Sequence, residues 1–208
     1  MDSAPAGRYL WRSQGHSYGG AALLFHWAVA FLFLAQIPLG YLTQVTESRP
    51  ALQFQLYQWH KSLGFLVLAL SALRLAWLWF DGRPEEAARA SPLEKLMASV
   101  ARITLYAATL LVPLTGWAIA SASPLHIPSY AFNLVLVPPL PMAVSDAAEA
   151  FWSNLHAILA YCAAALAAIH IAAALDHHFR RKDSTLTRML RTSAGGNPTK
   201  DGSPPMQR

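Results

Sequence analysis

The chain has 208 residues, 54% of them hydrophobic and only 13% charged, where soluble domains carry about 25% charged residues. That deficit excludes an ordinary soluble domain and points to lipid as the solvent, and the length suits one folded unit rather than two. A formal charge of +5 would suit either nucleic acid or a membrane surface, while the single cysteine, Cys162, excludes an internal disulfide framework.

The first twenty residues are polar and Gly-rich, without the apolar core and small-residue cleavage site of a secretory signal. The first long apolar run, 21–42, is therefore expected to be a permanent span. A crossing takes about 20 mostly apolar residues, and three further runs qualify: 62–80, 102–122 and 154–175. A fifth apolar stretch, 130–144, holds Pro138, Pro139 and Pro141. Proline removes backbone donors and breaks helices, so this stretch is expected to be an interfacial loop packed on the end of the bundle. The segment after Thr192 is rich in Gly, Pro, Ser and Asn, and residues 193–208 are expected to be a disordered tail behind a folded unit of residues 1–192. The expected fold class is all-α, an integral membrane four-helix bundle.

Charge placement orients it. Arg8 and Arg12 precede the first span, and Arg83, Arg89, Lys95 and Arg102 lie between the second and third. Arg180, Arg181, Lys182, Arg188, Arg191, Lys200 and Arg208 follow the fourth. Only Arg49 and Lys61 fall on the other side, and Arg74 lies inside a span. The positive-inside rule then puts both termini in the cytoplasm. The same asymmetry accounts for the basic charge with no nucleic acid partner.

Ionisable residues inside a membrane are costly, yet His26, His60, His156 and His170 all fall in or at the mouths of spans. A single such histidine is commonly a hydrogen-bonded polar residue between helices. Four, sorted by depth, make a pattern: His26 and His170 at the cytoplasmic level, His60 and His156 at the outer level. Each level draws two imidazoles from two helices, as a haem with two axial histidines requires. His156 and His170 are 14 residues apart, which returns to nearly the same helix face about 21 Å further on. Between them Ala163 and Ala167 leave room for a macrocycle, or for close helix packing alone. Zinc would need about four ligands converging on one point, which His156 and His170 cannot supply.

The same 14-residue step leads from His26 to Gly40 and from His60 to Arg74. A glycine at position 40 would let a porphyrin lie against backbone, and Gly64 and Gly116 would give similar room. Arg74 needs an anion, for which a haem propionate is a candidate; the other reading has it snorkel to the headgroups. His177, His178, Lys182 and Asp183 follow the fourth span as candidates for proton delivery or simply as a solvated helix end. Gln36, Tyr57, Gln58, Lys61 and Tyr161 are polar groups that a quinone could use.

The "FHW" opening the first span, "WHKSLG" entering the second, "LLVPLTGWAIASAS" in the third and "LHAILAYCAAALAAIHIAAALDHHFRRKDSTLTRML" in the fourth resemble the bacterial cytochrome b-561 family. The resemblance covers about residues 17–191. It implies a four-helix inner-membrane cytochrome with two b haems (iron) ligated by His26, His60, His156 and His170, and exchange of electrons with ubiquinone in the membrane pool. It also implies that superoxide is a candidate donor at the outer face. The outer segments hold only Arg49 and Lys61 against Glu47, Asp146 and Glu149, a poor surface for steering an anion. The expectation is a quinone-linked di-haem electron carrier, with or without a redox partner protein. The alternatives are an anchor subunit for a hydrogenase- or dehydrogenase-like complex, and a haem-free proton-relay or transport bundle.

Overall fold

The structure is a computed structural model, and it describes residues 11–13, 18–82 and 91–190. His16, several of the basic residues counted above and the 193–208 tail lie outside the described residues. The chain forms α1 (Gly20–Val45), α2 (Pro50–Asp81), α3 (Pro92–Ala122), a hairpin of β1 (Ser129–Ala131) and β2 (Val135–Val137), then α4 (Asp146–Phe179) and α5 (Thr187–Leu190). The four long helices are apolar and long enough to cross a membrane.

These helices run 26, 32, 31 and 34 residues, well beyond the apolar runs read from the sequence. At about 1.5 Å per residue each exceeds the roughly 30 Å of hydrocarbon. Hydropathy marks only the part in lipid, whereas backbone hydrogen bonding continues through the polar flanks until a cap stops it. Ser91 caps α3 through a reciprocal pair with Glu94, with proline at the first helical position. The Ser145 hydroxyl accepts from the Ala148 N–H to cap α4.

Successive helices alternate in direction. One end of the bundle carries the start of α1 and the close of α4; it is called the terminal end below. The opposite end carries β1 and β2 and is called the hairpin end. Helices α1 and α2 pack closely, as do α3 and α4, and α2 packs on α3, whereas α4 approaches α1 only sparsely. The contacts are made by small residues: Val29, Val67, Ala118, Ala122, Ala163 and Ala167 are buried, alongside Ser62, Ser71, Thr115 and Ser121. Phe33 of α1 fits against Ala163 and Ala167, with Leu105, Ala108 and Val112 around it. Large apolar side chains such as Phe31, Trp79 and Ile169 face outward, the arrangement expected where lipid, not water, surrounds the helices.

The proline-rich stretch differs from its expected form. Three of its residues pair with Ser129–Ala131 as an antiparallel ladder, Ser129 opposite Val137. The turn between the strands holds Phe132 and Asn133 at φ of 54° and 56°, a left-handed conformation that asparagine tolerates better than most residues. The hairpin is pinned to α2, because the Phe132 N–H donates to the Ser62 hydroxyl and that hydroxyl reaches the Tyr130 carbonyl, both at 3.0 Å. The Trp117 indole N–H donates to the Pro138 carbonyl at 3.0 Å. The prolines thus end the ladder without preventing it.

The terminal end is tied by charges. Arg181 bridges Glu94 of α3 and Asp176 of α4, and Arg12 pairs with Asp81 at the end of α2. Asp183 pairs with His177 and accepts from the Thr185 N–H. Slight burial pushes the Asp183 carboxyl up, but these hydrogen bonds outweigh it and hold the group at about 2, below its ordinary 3.8. A carboxyl depressed on folding stabilises fully above its unfolded value and loses that stabilisation as pH falls through the folded one. Its side chain is 40% exposed, so screening keeps the contribution below about 1 kcal/mol. Asp183→Asn is therefore expected to lower the melting temperature in detergent slightly at neutral pH. That difference should vanish as pH falls from about 4 towards 2; a difference that persists at the acid end would rule the pairing out as its source.

Candidate functional site

Four histidines from three helices line the space where α4 faces α1 and α2. Towards the hairpin end, His60 of α2 and His156 of α4 approach with ring centres 6.2 Å apart and planes at 84°. Towards the terminal end, His26 of α1 and His170 of α4 lie within electrostatic reach of each other. The 14-residue step on α4 thus gives one histidine to each pair, and Ala163 and Ala167 between the two histidines are the buried residues of that helix.

The hairpin-end pair is held from behind. His156 Nδ1 lies 2.9 Å from the Val112 carbonyl and 3.1 Å from the Thr115 hydroxyl of α3. A carbonyl can only accept, so Nδ1 carries the proton and Nε2 keeps its lone pair. Pro113, next to that carbonyl, has no backbone N–H and loosens the turn. A Cβ built on Gly116 would stand 3.2 Å from His156 Cε1. Gly40 does the same from α1, where a Cβ would stand 3.1 Å from His60 Cε1. What lies against Gly40 is the His60 imidazole itself. Gly64 faces the Gln36 amide at 3.2 Å, and Gln36 Nε2 donates to the His60 carbonyl at 2.8 Å. The His60 Nδ1 is buried and finds no partner among the described residues.

At the terminal end, Arg74 does not snorkel to headgroups. Its Nη2 stands 3.0 Å from His26 Nδ1 and its guanidinium lies over the Tyr106 ring at 4.7 Å. The steps from His26 to Gly40 and from His60 to Arg74 therefore pair crosswise, Arg74 with His26 and Gly40 with His60, because α1 and α2 run antiparallel.

A sequence profile described as "Prokaryotic cytochrome b561" matches residues 17–192. The chain belongs to the prokaryotic cytochrome b561 family. It is similar to "Cytochrome b561 homolog 2" of Escherichia coli (strain K12), 28% identical over 177 residues that cover 85% of this chain and 93% of that protein. As a member of the prokaryotic cytochrome b561 family it is a multi-pass bacterial membrane protein of haem b electron transfer, which sets aside the haem-free relay bundle.

The residues fit that group. His60 and His156 would hold the haem iron between their rings, whose centres stand 6.2 Å apart, and the iron would supply one-electron chemistry there. Both glycines that abut these rings are ones whose Cβ would crowd them.

Three partners were not singled out from the sequence: the Val112 carbonyl, Thr115 and Tyr106. The first two lie inside "LLVPLTGW", where a proline three residues ahead of a glycine was the available signal. Tyr161, by contrast, is 72% exposed on α4.

Proposed function

We propose that the chain carries two b haems, one on His26 and His170 and the other on His60 and His156, and passes electrons between them across the bacterial inner membrane. The observation that carries this reading is the hairpin-end pair: two imidazoles at axial spacing, with one held in the iron-binding tautomer by a backbone carbonyl. Each haem supplies reversible one-electron chemistry at its iron. The protein's own part is to present four imidazoles at two depths, fix the His156 ring through the Val112 carbonyl, and exclude water with small apolar residues. With the basic residues inside, both termini and the terminal-end pair lie towards the cytoplasm.

The membrane quinone pool is the proposed exchange partner. A cavity of about 180 Å³ at the hairpin end is lined by Phe54, Gln55, Gln58, Trp59, Phe132 and Asn133, among others. Its aromatic faces suit a quinone ring and its amides suit the two quinone oxygens. Trp59 and Gln58 immediately precede His60, which keeps the cavity close to the hairpin-end pair. Lys61 turns its ammonium to the Pro128 carbonyl at 3.4 Å. That leaves little exposed positive charge to steer superoxide, so quinol is favoured as the donor over the anion.

The test is a dithionite-reduced minus oxidised spectrum of purified protein with haem counted per chain. Two b haems per chain are expected. One haem would show that only one of the two histidine pairs binds, and none, after expression with ample haem, would end the electron-carrier reading.

A further inference from the structure

The stretch between α3 and α4 carries no lysine, arginine, aspartate or glutamate from Pro124 to Ser145. Its hairpin turns large apolar side chains outward: Leu134 is 85% exposed, and Phe132, Val135 and Leu136 are exposed as well. Hydrogen bonds fix the depth at which they sit. The Ser62 hydroxyl accepts from the Phe132 N–H at 3.0 Å and reaches the Tyr130 carbonyl. The Trp117 indole N–H donates to the Pro138 carbonyl at 3.0 Å, and the Ser121 hydroxyl accepts from the Leu140 N–H at 2.9 Å. Ser62 opens the apolar run 62–80 of α2, and Ser121 stands at the close of the run 102–122 of α3. The hairpin is therefore tied to two helices at the level where hydrocarbon ends.

A contiguous uncharged apolar tip is unfavourable in water and favourable against lipid. A ribbon of two strands also leaves N–H and C=O groups unpaired along its edges, which hydrocarbon cannot satisfy. The boundary layer meets both demands, because acyl chains reach the side chains there while headgroups and water still reach the backbone. Trp59 and Tyr130, both exposed, are the amphipathic rings that such a layer favours. Trp59 stands edge-on to Phe132 with ring centres 6.2 Å apart, which makes the hairpin continuous with the outward apolar side of α2. We propose that the hairpin seats Leu134, Val135 and Leu136 in the boundary layer of the adjacent leaflet, so that lipid covers this tip. The cavity walled by Phe132 and Asn133 on one side and by Phe54 and Trp59 on the other then opens at that boundary, within reach of molecules dissolved in the bilayer. The proposal holds whether the chain carries one haem or two.

Spin-label accessibility in the full-length, haem-loaded protein tests this. Cys162 is the only cysteine and is exposed, so Cys162→Ser gives the background. Leu134→Cys and Leu136→Cys each carry one nitroxide, in vesicles of phosphatidylcholine and phosphatidylglycerol. Collisions are measured with dissolved oxygen, which concentrates in lipid, and with a water-soluble nickel chelate. Glu47→Cys, in the exposed turn between α1 and α2, is the reference for water, and Phe31→Cys, on the outward side of α1, the reference for lipid. The oxygen-to-nickel ratio at both hairpin sites should lie several-fold above that of Glu47→Cys and below that of Phe31→Cys. A ratio equal to that of Glu47→Cys would put the tip in water and overturn the proposal. Poor access to both reagents would overturn it too, since a second copy of the chain would then cover the tip. Haem content equal to that of the unlabelled protein certifies each variant, and Val135→Cys supplies a third site should either of the first two fail to fold.

Discussion

Replacing His156 with alanine is expected to halve the haem content of the protein and to leave the terminal-end haem in place. His156 is one of two rings whose centres stand 6.2 Å apart, and its Nδ1–H donates to the Val112 carbonyl. Alanine removes the ligand, while the Val112 carbonyl keeps the Thr115 hydroxyl as a donor at 2.8 Å, so the helix beside it should stay in place. The terminal-end pair uses other residues of α1 and α4, about 21 Å along the helix, so it should keep its haem. His170→Ala should give the complementary loss. Haem extracted per polypeptide, with the α-band of each variant, reads the result. Two haems retained in His156→Ala would mean that this histidine is not a ligand, whereas loss of both would mean that the two sites fold as one unit. Thr115→Val provides a graded comparison. It removes the hydroxyl beside Nδ1 and leaves the carbonyl in place, so a partial loss of haem is expected.

Gly40→Val and Gly116→Val are expected to displace the hairpin-end haem without touching the other. A Cβ at these positions would lie 3.1 Å and 3.2 Å from the Cε1 atoms of His60 and His156. Alanine is the weaker probe, because it gains up to about 1 kcal/mol of helix propensity over glycine, which offsets part of the crowding. Valine adds two methyls and loses most of that gain, and overpacking of this kind costs about 1–3 kcal/mol. The rings cannot retreat freely, since His156 is tied to α3 and an axial ligand must stay on its iron. Gly64→Val is the control: its Cβ would press on the Gln36 amide at 3.2 Å, the far end of a flexible side chain. Haem content and melting temperature in detergent should fall for the first two and change little for the third. Equal behaviour of all three would show that crowding of the rings is not what these glycines avoid.

Much of this molecule is legible along the chain. Four apolar runs, one proline-rich stretch and the segregation of arginine and lysine give the spans and their expected orientation, because bilayer thickness and helical rise are constants. The four histidines and their two depths follow from the same arithmetic. Depth along a helix axis needs nothing beyond residue number and the direction in which each span runs.

What packs beside each histidine does not follow from residue number. Arg74 read equally well as a partner of a propionate or of headgroups, and it is the azimuths of α1 and α2 that bring it beside His26 Nδ1. Gly40 read as space for a ring, and it is the antiparallel packing of the same two helices that puts the His60 imidazole there. The Val112 carbonyl has no side-chain identity at all, so no residue type could announce it as the partner of His156. The β-hairpin within the proline-rich stretch depends on a hydroxyl of α2, Ser62, which lies 68 residues before Tyr130. The sequence by itself determined which residues lie in the membrane and how deep, since hydropathy and helical rise act locally. Only the tertiary structure decided which atoms face the histidine rings, since helix rotation and backbone carbonyl direction are settled by packing between segments far apart in the chain.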